Sequence, residues 1–192
     1  MLFRSIGFAD LSLAFVGNWT RHSTYNANAA SPTSLNRECT GYYSVNCSFT
    51  GSIQPEFQTS TRATFGFEDV DLSFLWRWTD AVQFEPQQLA DDLAGALADP
   101  VGCPDPNGAD PGGCLVEPGF RKINAEHYFD FTGRWKASEN FSFTFTVQNF
   151  LNNKPKLVGN TIGSTSFNSG NVFPSTYDAL GRRFGVAAKL TF

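Results

Sequence analysis

The chain has 192 residues, enough for one domain, and 15% of them are aromatic, including 20 Phe. Mean hydropathy is slightly negative, and no apolar run approaches the roughly 18 residues of a transmembrane helix, which excludes a helical membrane protein but leaves a β-barrel open. The net charge of −4 is uneven. Segment 85–121 holds seven acids (Glu85, Asp91, Asp92, Asp99, Asp105, Asp110, Glu117) against Arg121, and no basic patch points to nucleic acid.

The dominant pattern along the chain has a period of two. Ile6 and Phe8 read as the tail of an earlier strand, closed by a tight turn at Ala9-Asp10. A first full strand is expected at 11–24, with Leu11, Leu13, Phe15, Gly17 and Trp19 on one side. Ser12, Ala14, Asn18 and Thr20 face the other way, and Val16 breaks the rule. A long connection, 26–53, carries Cys39 and Cys47. The second strand, 55–67, sets Phe57, Ala63, Phe65 and Phe67 against Gln58, Ser60, Arg62 and Thr64. Glu68-Asp69 turns the chain into a third strand at 70–84, with Val70, Leu72, Phe74, Trp76 and Trp78 outward.

The acidic connection 85–121 follows and reads as a solvated loop. Within it Leu89, Leu93 and Leu97 recur every fourth residue between Pro86 and Pro100, which predicts a short helix at 86–98. The fourth strand, 123–136, is the clearest. Ile123, Ala125, His127, Phe129, Phe131, Gly133 and Trp135 alternate with Asn124, Glu126, Tyr128, Asp130, Thr132, Arg134 and Lys136. A turn at Ser138-Glu139 leads to a fifth strand, 140–150. After the polar connection 151–181 comes a sixth, 182–192, with Phe184, Val186, Ala188, Leu190 and Phe192 outward.

Strands of soluble proteins run about 5–6 residues, whereas strands that cross a bilayer need about 9–11, tilted near 45°. The connections alternate in length: two residues, about 28, two, about 37, about three, about 31. Short turns at one end and long loops at the other mark a bacterial outer membrane barrel, with the loops outside and the turns in the periplasm. Trp19, Trp78 and Phe184 then fall near the outer rim, and Phe65, Trp135 and Phe192 near the inner rim. The expected fold is all-β: an antiparallel meander of about six long transmembrane strands with long outer loops. A soluble sandwich or surface adhesin also alternates, but such an aromatic face in water would be an aggregation hazard.

The four cysteines form two close pairs, Cys39/Cys47 and Cys103/Cys114, each within a Gly/Pro/Asn-rich connection. Local disulfides in an oxidising compartment are expected. Neither pair has CxxC spacing or a neighbouring His, which argues against zinc, and no other metal or cofactor site is expected. The two histidines, His22 and His127, join no catalytic set. There is no GxSxG elbow and no phosphate loop, so no enzyme is expected. Arg62, Arg77, Glu126, Asp130, Arg134, Arg183 and Lys189 would face a lumen, as solvated wall, contacts to a plug or contacts to solute. Tyr42, Tyr43 and the helix lie in outer loops, where ligand capture is possible.

The stretch Val147-Gln148-Asn149-Phe150-Leu151-Asn152-Asn153-Lys154, then Gly181-Arg182-Arg183-Phe184-Gly185-Val186 and a terminal Phe192, resembles the C-terminus of TonB-dependent outer membrane receptors. The insert 160–171 with Tyr177-Asp178-Ala179-Leu180, and the Cys39/Cys47 loop with Pro55-Glu56, resemble one branch of that family. The resemblance covers nearly the whole of 1–192. It implies a 22-stranded barrel with a plugged lumen, of which this chain supplies the last six strands. The plug, the TonB-contact segment and the earlier strands would lie upstream. Residues 1–5 lack the apolar stretch of an export signal, so the exported polypeptide is expected to begin before Met1.

The resemblance also implies the partners: outer membrane lipid, the rest of the barrel and plug, the TonB system, and the barrel assembly machinery. That machinery would read Phe184, Gly185, Val186, Leu190 and Phe192, with Ala188 smaller than the usual bulky residue. The implied function is TonB-energised uptake across the bacterial outer membrane of a bulky, scarce solute: a ferric siderophore, a cobalamin-like cofactor or an oligosaccharide. The alternatives are a passive porin-like channel and a surface adhesin or binding module.

Overall fold

The computed structural model describes residues 2–5, 7, 9–27, 36–48, 51–99, 101, 115–159 and 171–191. In chain order the strands are β1 (Leu2–Ser5), β2 (Asp10–Trp19), β3 (Thr24–Asn26), β4 (Asn36–Glu38), β5 (Tyr42–Tyr43), β6 (Phe57–Gly66), β7 (Val70–Thr79) and β8 (Val82–Phe84). They continue as β9 (Lys122–Ile123), β10 (Glu126–Ser138), β11 (Phe141–Gln148) and β12 (Arg183–Leu190), with helix α1 at Pro86–Ala98 and a 3₁₀ turn at Pro118–Phe120.

Seven strands make one sheet in the order β1-β2-β6-β7-β10-β11-β12, and every pairing in it is antiparallel. This is the expected meander of six long strands with a short strand added at its N-terminal edge. The predicted helix at 86–98 is α1, with Pro86 in its first turn, where the missing N–H costs nothing.

The strands end earlier than the alternation suggests. β2 stops at Trp19 rather than 24, and β7 at Thr79 rather than 84. The reason lies in their neighbour. The register Trp19↔Phe57 sets Pro55 two residues beyond the last pair, and proline has no N–H with which to extend a ladder. Thr20 and Asp80 instead donate backbone N–H to Glu56 O (2.8 Å) and Phe57 O (3.0 Å), and the chain turns out of the sheet. β10 starts at Glu126 rather than 123, because Lys122 and Ile123 pair with β8 in a separate sheet.

That separate sheet, β5-β8-β9, is the centre of a second structure built wholly from the long connections. Tyr43, Ile53, Val82, Phe84, Ile123, Val158, Phe173 and Tyr177 are all buried together, and Leu89 of α1 packs against them. Each such side chain contributes about 1.5–3 kcal/mol by leaving water. The apolar core of the described residues therefore sits in this loop cap and not on either face of the large sheet. Phe173 C=O accepts from the N–H groups of Thr176 (3.1 Å) and Tyr177 (2.9 Å), and Val158 N–H reaches Asn171 O at 2.9 Å, so the last connection is stitched into the same cap. Segments 102–114 and 160–170, with Cys103 and Cys114, lie outside the described residues, as do Ile6, Phe8 and Phe192.

Candidate functional site

The register sorts the large sheet into two faces. One carries Leu11↔Phe65↔Leu72↔Gly133↔Phe145↔Val186 and Leu13↔Ala63↔Phe74↔Phe131↔Val147↔Phe184 as continuous rows across six strands. This face is strongly exposed: Phe15, Val16's neighbour on the strand, is 66% accessible, Trp19 65% and Phe184 66%. Its aromatic rings stack on one another. Trp76 lies nearly parallel to both His127 (5.9 Å between centroids) and Phe129 (6.3 Å). Trp76 Nε1 donates to His127 Nδ1 at 3.2 Å, which requires the imidazole proton on Nε2. His127 is thus a member of an aromatic stack, as expected of a structural residue.

The other face is polar, and the register places Arg62, Arg77, Glu126, Asp130, Arg134, Arg183 and Lys189 on it together. It is organised in rows. Nearest the loop cap are Asn18, Gln58, Thr79 and Glu126, then Val16, Ser60, Arg77 and Tyr128, then Ala14, Arg62, Leu75 and Asp130. The fourth row is all hydroxyls across five strands: Ser12, Thr64, Ser73, Thr132 and Thr146. Thr64 Oγ1 and Ser73 Oγ are 3.1 Å apart, and Thr132 Oγ1 and Thr146 Oγ1 3.4 Å.

Arg77 makes a bidentate pair with Asp130, Nε to Oδ2 at 3.0 Å and Nη2 to Oδ1 at 3.1 Å, and its guanidinium lies over the Tyr128 ring at 5.3 Å. Arg183 forms a second fork with Asp178, at 2.7 and 3.2 Å, and donates through Nε to Gln148 Oε1 at 3.0 Å. Burial works to raise the Asp178 pKa, but the hydrogen bonds and charge of Arg183, with the N–H groups of Leu180 and Gly181, hold the carboxyl below its ordinary range. Arg134, Lys136 and Lys189 gather at the turn end, lining a cleft of about 670 Å³ beside Asp69 and Glu139.

The motif from Gln148 to Lys154 is a knot at the loop end of the polar face. Asn149 is fully buried at φ 49°, a conformation asparagine tolerates better than other residues with a Cβ. Its N–H donates to Asp130 Oδ1 at 2.8 Å, tying the turn to the Arg77 pair. Its side chain donates to Asn153 O and accepts from Asn153 N–H, both at 2.9 Å, and Asn153 Nδ2 reaches His127 O at 2.7 Å. Asn152 Oδ1 accepts from Arg182 N–H at 3.1 Å, which docks the start of β12.

In the cap, Cys39 and Cys47 are joined by a disulfide, the local pairing expected for them. Between them Ser44 Oγ donates to Glu85, and Arg37 sits between Glu85 (3.4 Å) and Asp91. Glu85 and Arg37 are both buried. Glu85 is therefore no part of a solvated acidic loop, because it neutralises an arginine that the cap encloses. Tyr43, expected as a capture residue, is fully buried with its hydroxyl donating to Phe120 O, and burial pushes that hydroxyl's pKa up. Glu38 is held down to about 2 by the Ser23 N–H, then by Thr40 and His22, the last at 3.2 Å. The cap core and the asparagine knot are what sequence reasoning missed. The signals available for the cap were Ile53, Val158 and Phe173, apolar residues inside otherwise polar connections, whereas Val82 and Phe84 read as the end of the third strand. Among the described residues no group of three His, Cys, Asp or Glu side chains converges as a metal site, and no helix is long and apolar enough to cross a membrane.

A polar-faced, aromatic-faced antiparallel meander with turns at one end and a folded loop cap at the other is the architecture of a β-barrel wall segment. No family model matches the chain, and no curated protein matches it. Among solved structures it is similar in fold to a variant of the ferric enterobactin receptor from Pseudomonas aeruginosa in complex with enterobactin. That likeness has a TM-score of 0.51 at 13% identity and covers 100% of this chain. The same receptor in complex with BCV-L6 gives a TM-score of 0.50 at 14% identity, again over 100% of the chain. The chain spans 21% of that receptor's length. At this identity the likeness shows the fold alone, the antiparallel meander of a barrel wall that the alternation predicts.

Proposed function

We propose that residues 1–192 form the C-terminal wall of a TonB-dependent outer membrane receptor, whose remaining strands and plug lie elsewhere in the polypeptide. The observation that carries this reading is the exposed aromatic face, continuous over six strands, whose natural solvent is lipid. Dimensions support it. The ten residues of β2, β6 and β7 extend about 33 Å, and a tilt near 45° projects this to about 23 Å, close to the apolar band of about 25 Å in such barrels. The polar face then lines the lumen and the loop cap lies outside the cell. The receptor takes up a bulky, scarce solute with energy from the inner membrane.

Within that reading, Phe184, Gly185, Val186, Leu190 and Phe192 serve the barrel assembly machinery as its recognition strand. Arg62, Arg77, Glu126, Asp130, Arg134, Arg183 and Lys189 contact water, plug or solute. Cys103 and Cys114 form a second loop disulfide in the oxidising exterior. The test is the size and location of the native polypeptide, by immunoblot of fractionated cells with an antibody to this segment. The expected band lies in the outer membrane at several times the mass of this chain. A membrane band of about 21 kDa, the mass of these residues alone, contradicts the reading. A soluble band favours a binding module.

A further inference from the structure

We infer that the outer corner of the apolar face, where β10, segment 150–157 and the start of β12 meet, docks the phosphate-bearing headgroup of an anionic lipid of the outer leaflet. The inference rests on the proposal that the apolar face meets lipid, and it adds the chemistry of the lipid held at this corner. Segment 150–157 closes over the end of that face. Phe150 N–H donates to Phe129 O at 2.9 Å, and the two rings lie 6.0 Å apart between centroids. Asn153 Nδ2 holds His127 O at 2.7 Å, and Asn152 Oδ1 accepts from Arg182 N–H at 3.1 Å. Phe150, Leu151 and Leu157 are exposed here, as is Phe184 at the start of β12.

Four cations stand along this edge. Arg183 points to the polar face, where it bonds Gln148 and Asp178, so by alternation its neighbour Arg182 falls on the apolar side with Phe184. Lys154 directly follows Asn153 and is exposed. Lys156 Nζ donates to Gly119 O at 2.6 Å and Lys122 O at 2.8 Å. Two carbonyls thus fix that ammonium on the flank of the cap without neutralising it, and an ammonium has a third donor to give. Ile123 is buried in the cap core, and Lys122 beside it is exposed. Among the described residues none of Lys122, Lys154, Lys156 and Arg182 forms an ion pair, whereas Arg37, Arg77 and Arg183 each do. A chain of net charge −4 therefore gathers four unpaired cations at one corner.

Like charges collected without carboxylates attract an anion, and the position of these decides which kind. The solute path along the polar face is on the other side of the sheet from Arg182 and Phe150. A soluble anion outside would gain nothing from the exposed Phe150, Leu151 and Phe184. An anionic lipid uses both features. Its acyl chains lie against the rings, and its phosphate sits at the boundary of hydrocarbon and water. There a guanidinium binds it through a fork of N–H donors and lysines reach it on their long stems.

The experiment uses the full-length polypeptide carrying this chain, purified from outer membranes and stripped of lipid in detergent. It is mixed with diphosphorylated lipid A, or with the same lipid after enzymatic removal of its phosphates, and the lipid retained per barrel is read by native mass spectrometry. The expected result is retention of the phosphorylated lipid, severalfold above the dephosphorylated one. Lys154→Gln/Arg182→Gln is expected to lower that retention severalfold, with heat-modified gel mobility establishing that the variant is folded. Lys136→Gln, a loss of charge at the turn end, is expected to leave it within twofold. Equal retention of the two lipids, unchanged retention in the folded Lys154→Gln/Arg182→Gln variant, or an equal loss in Lys136→Gln overturns the inference. Release of the bound lipid by millimolar inorganic phosphate also overturns it, because the corner would then be a site for a soluble anion. Failure of the receptor reading itself is distinct: the polypeptide would be missing from the outer membrane fraction before any lipid is added.

Discussion

Asn149 combines a left-handed backbone, complete burial and hydrogen bonds to two separate segments. Its three bonds join Asp130, Asn153 and, through Asn153, His127. Asn149→Ala removes the side-chain pair and raises the cost of the left-handed conformation. The expected loss is about 2–3 kcal/mol, from one buried hydrogen-bonded group and one strained residue. A urea titration of the detergent-folded protein measures it, and a loss below about 0.5 kcal/mol would show that the knot holds nothing. Gly181 makes a sharper comparison. It sits at φ 75°, and a Cβ there would meet Asn152 Oδ1 at 2.9 Å, whereas a Cβ on Gly185 meets nothing nearer than 3.9 Å. Gly181→Ala is therefore expected to destabilise by about 1–2 kcal/mol and Gly185→Ala by less than half of that. The motif 147–154 was visible in the sequence as a resemblance, but its physics was not, because the partners Asp130, His127 and Arg182 are distant along the chain.

At the scale of elements, the sheet was legible and the cap was not. Alternation in 123–136 and 140–150 reports the two unlike solvents of a strand, a local property that survives without any knowledge of neighbours. The strand ends depend on the facing chain, as Pro55 opposite the end of β2 illustrates, and a single strand's pattern is silent about that. The cap is held by contacts among three connections, so Ile53 and Phe173 read locally as isolated apolar residues, Tyr43 as a loop residue and Val82 as the end of a strand.

The cap has a buried core of its own and the sheet is held by its ladders, and this separation has measurable consequences. Loss of the Cys39–Cys47 bridge, by Cys39→Ser/Cys47→Ser, releases a loop of eight residues, worth about 2–3 kcal/mol by loop entropy. The expected result is proteolysis within 36–48 while the unfolding midpoint of the sheet stays unchanged. Cooperative loss of both would contradict a cap that is stabilised independently of the sheet. The β3–β4 hairpin adds a pH dependence. Glu38 is depressed to about 2 from an ordinary 4.5, so its contribution is present above pH 4.5 and is lost as pH falls from there toward 2. Hydrogen exchange over 23–27 and 36–40 is expected to accelerate between pH 4.5 and 2 relative to the strands, and Glu38→Gln is expected to abolish the difference. An unchanged profile in Glu38→Gln would assign the effect elsewhere.

For the whole molecule, the decisive matter is what covers the aromatic face. Exposed edges at β1 and β12 and an exposed apolar face both call for surroundings that satisfy them, and a closed barrel in lipid supplies both. Deleting Phe192 is expected to reduce the amount of barrel assembled in cells severalfold, measured by heat-modifiable mobility, whereas deleting one residue of the 160–170 insert leaves it unchanged. Equal assembly would remove the recognition role proposed for the last strand. All four tryptophans, Trp19, Trp76, Trp78 and Trp135, lie on the apolar face by register. They make the most direct measurement possible: quenching of tryptophan fluorescence by brominated lipids in the full-length protein reconstituted into vesicles, with each of the four replaced in turn by Phe. The account predicts that each replacement lowers the lipid-quenched signal, with Trp76 the most protected from aqueous acrylamide. Quenching of these four by acrylamide and not by brominated lipid would show that the face meets water or protein, and would contradict the barrel.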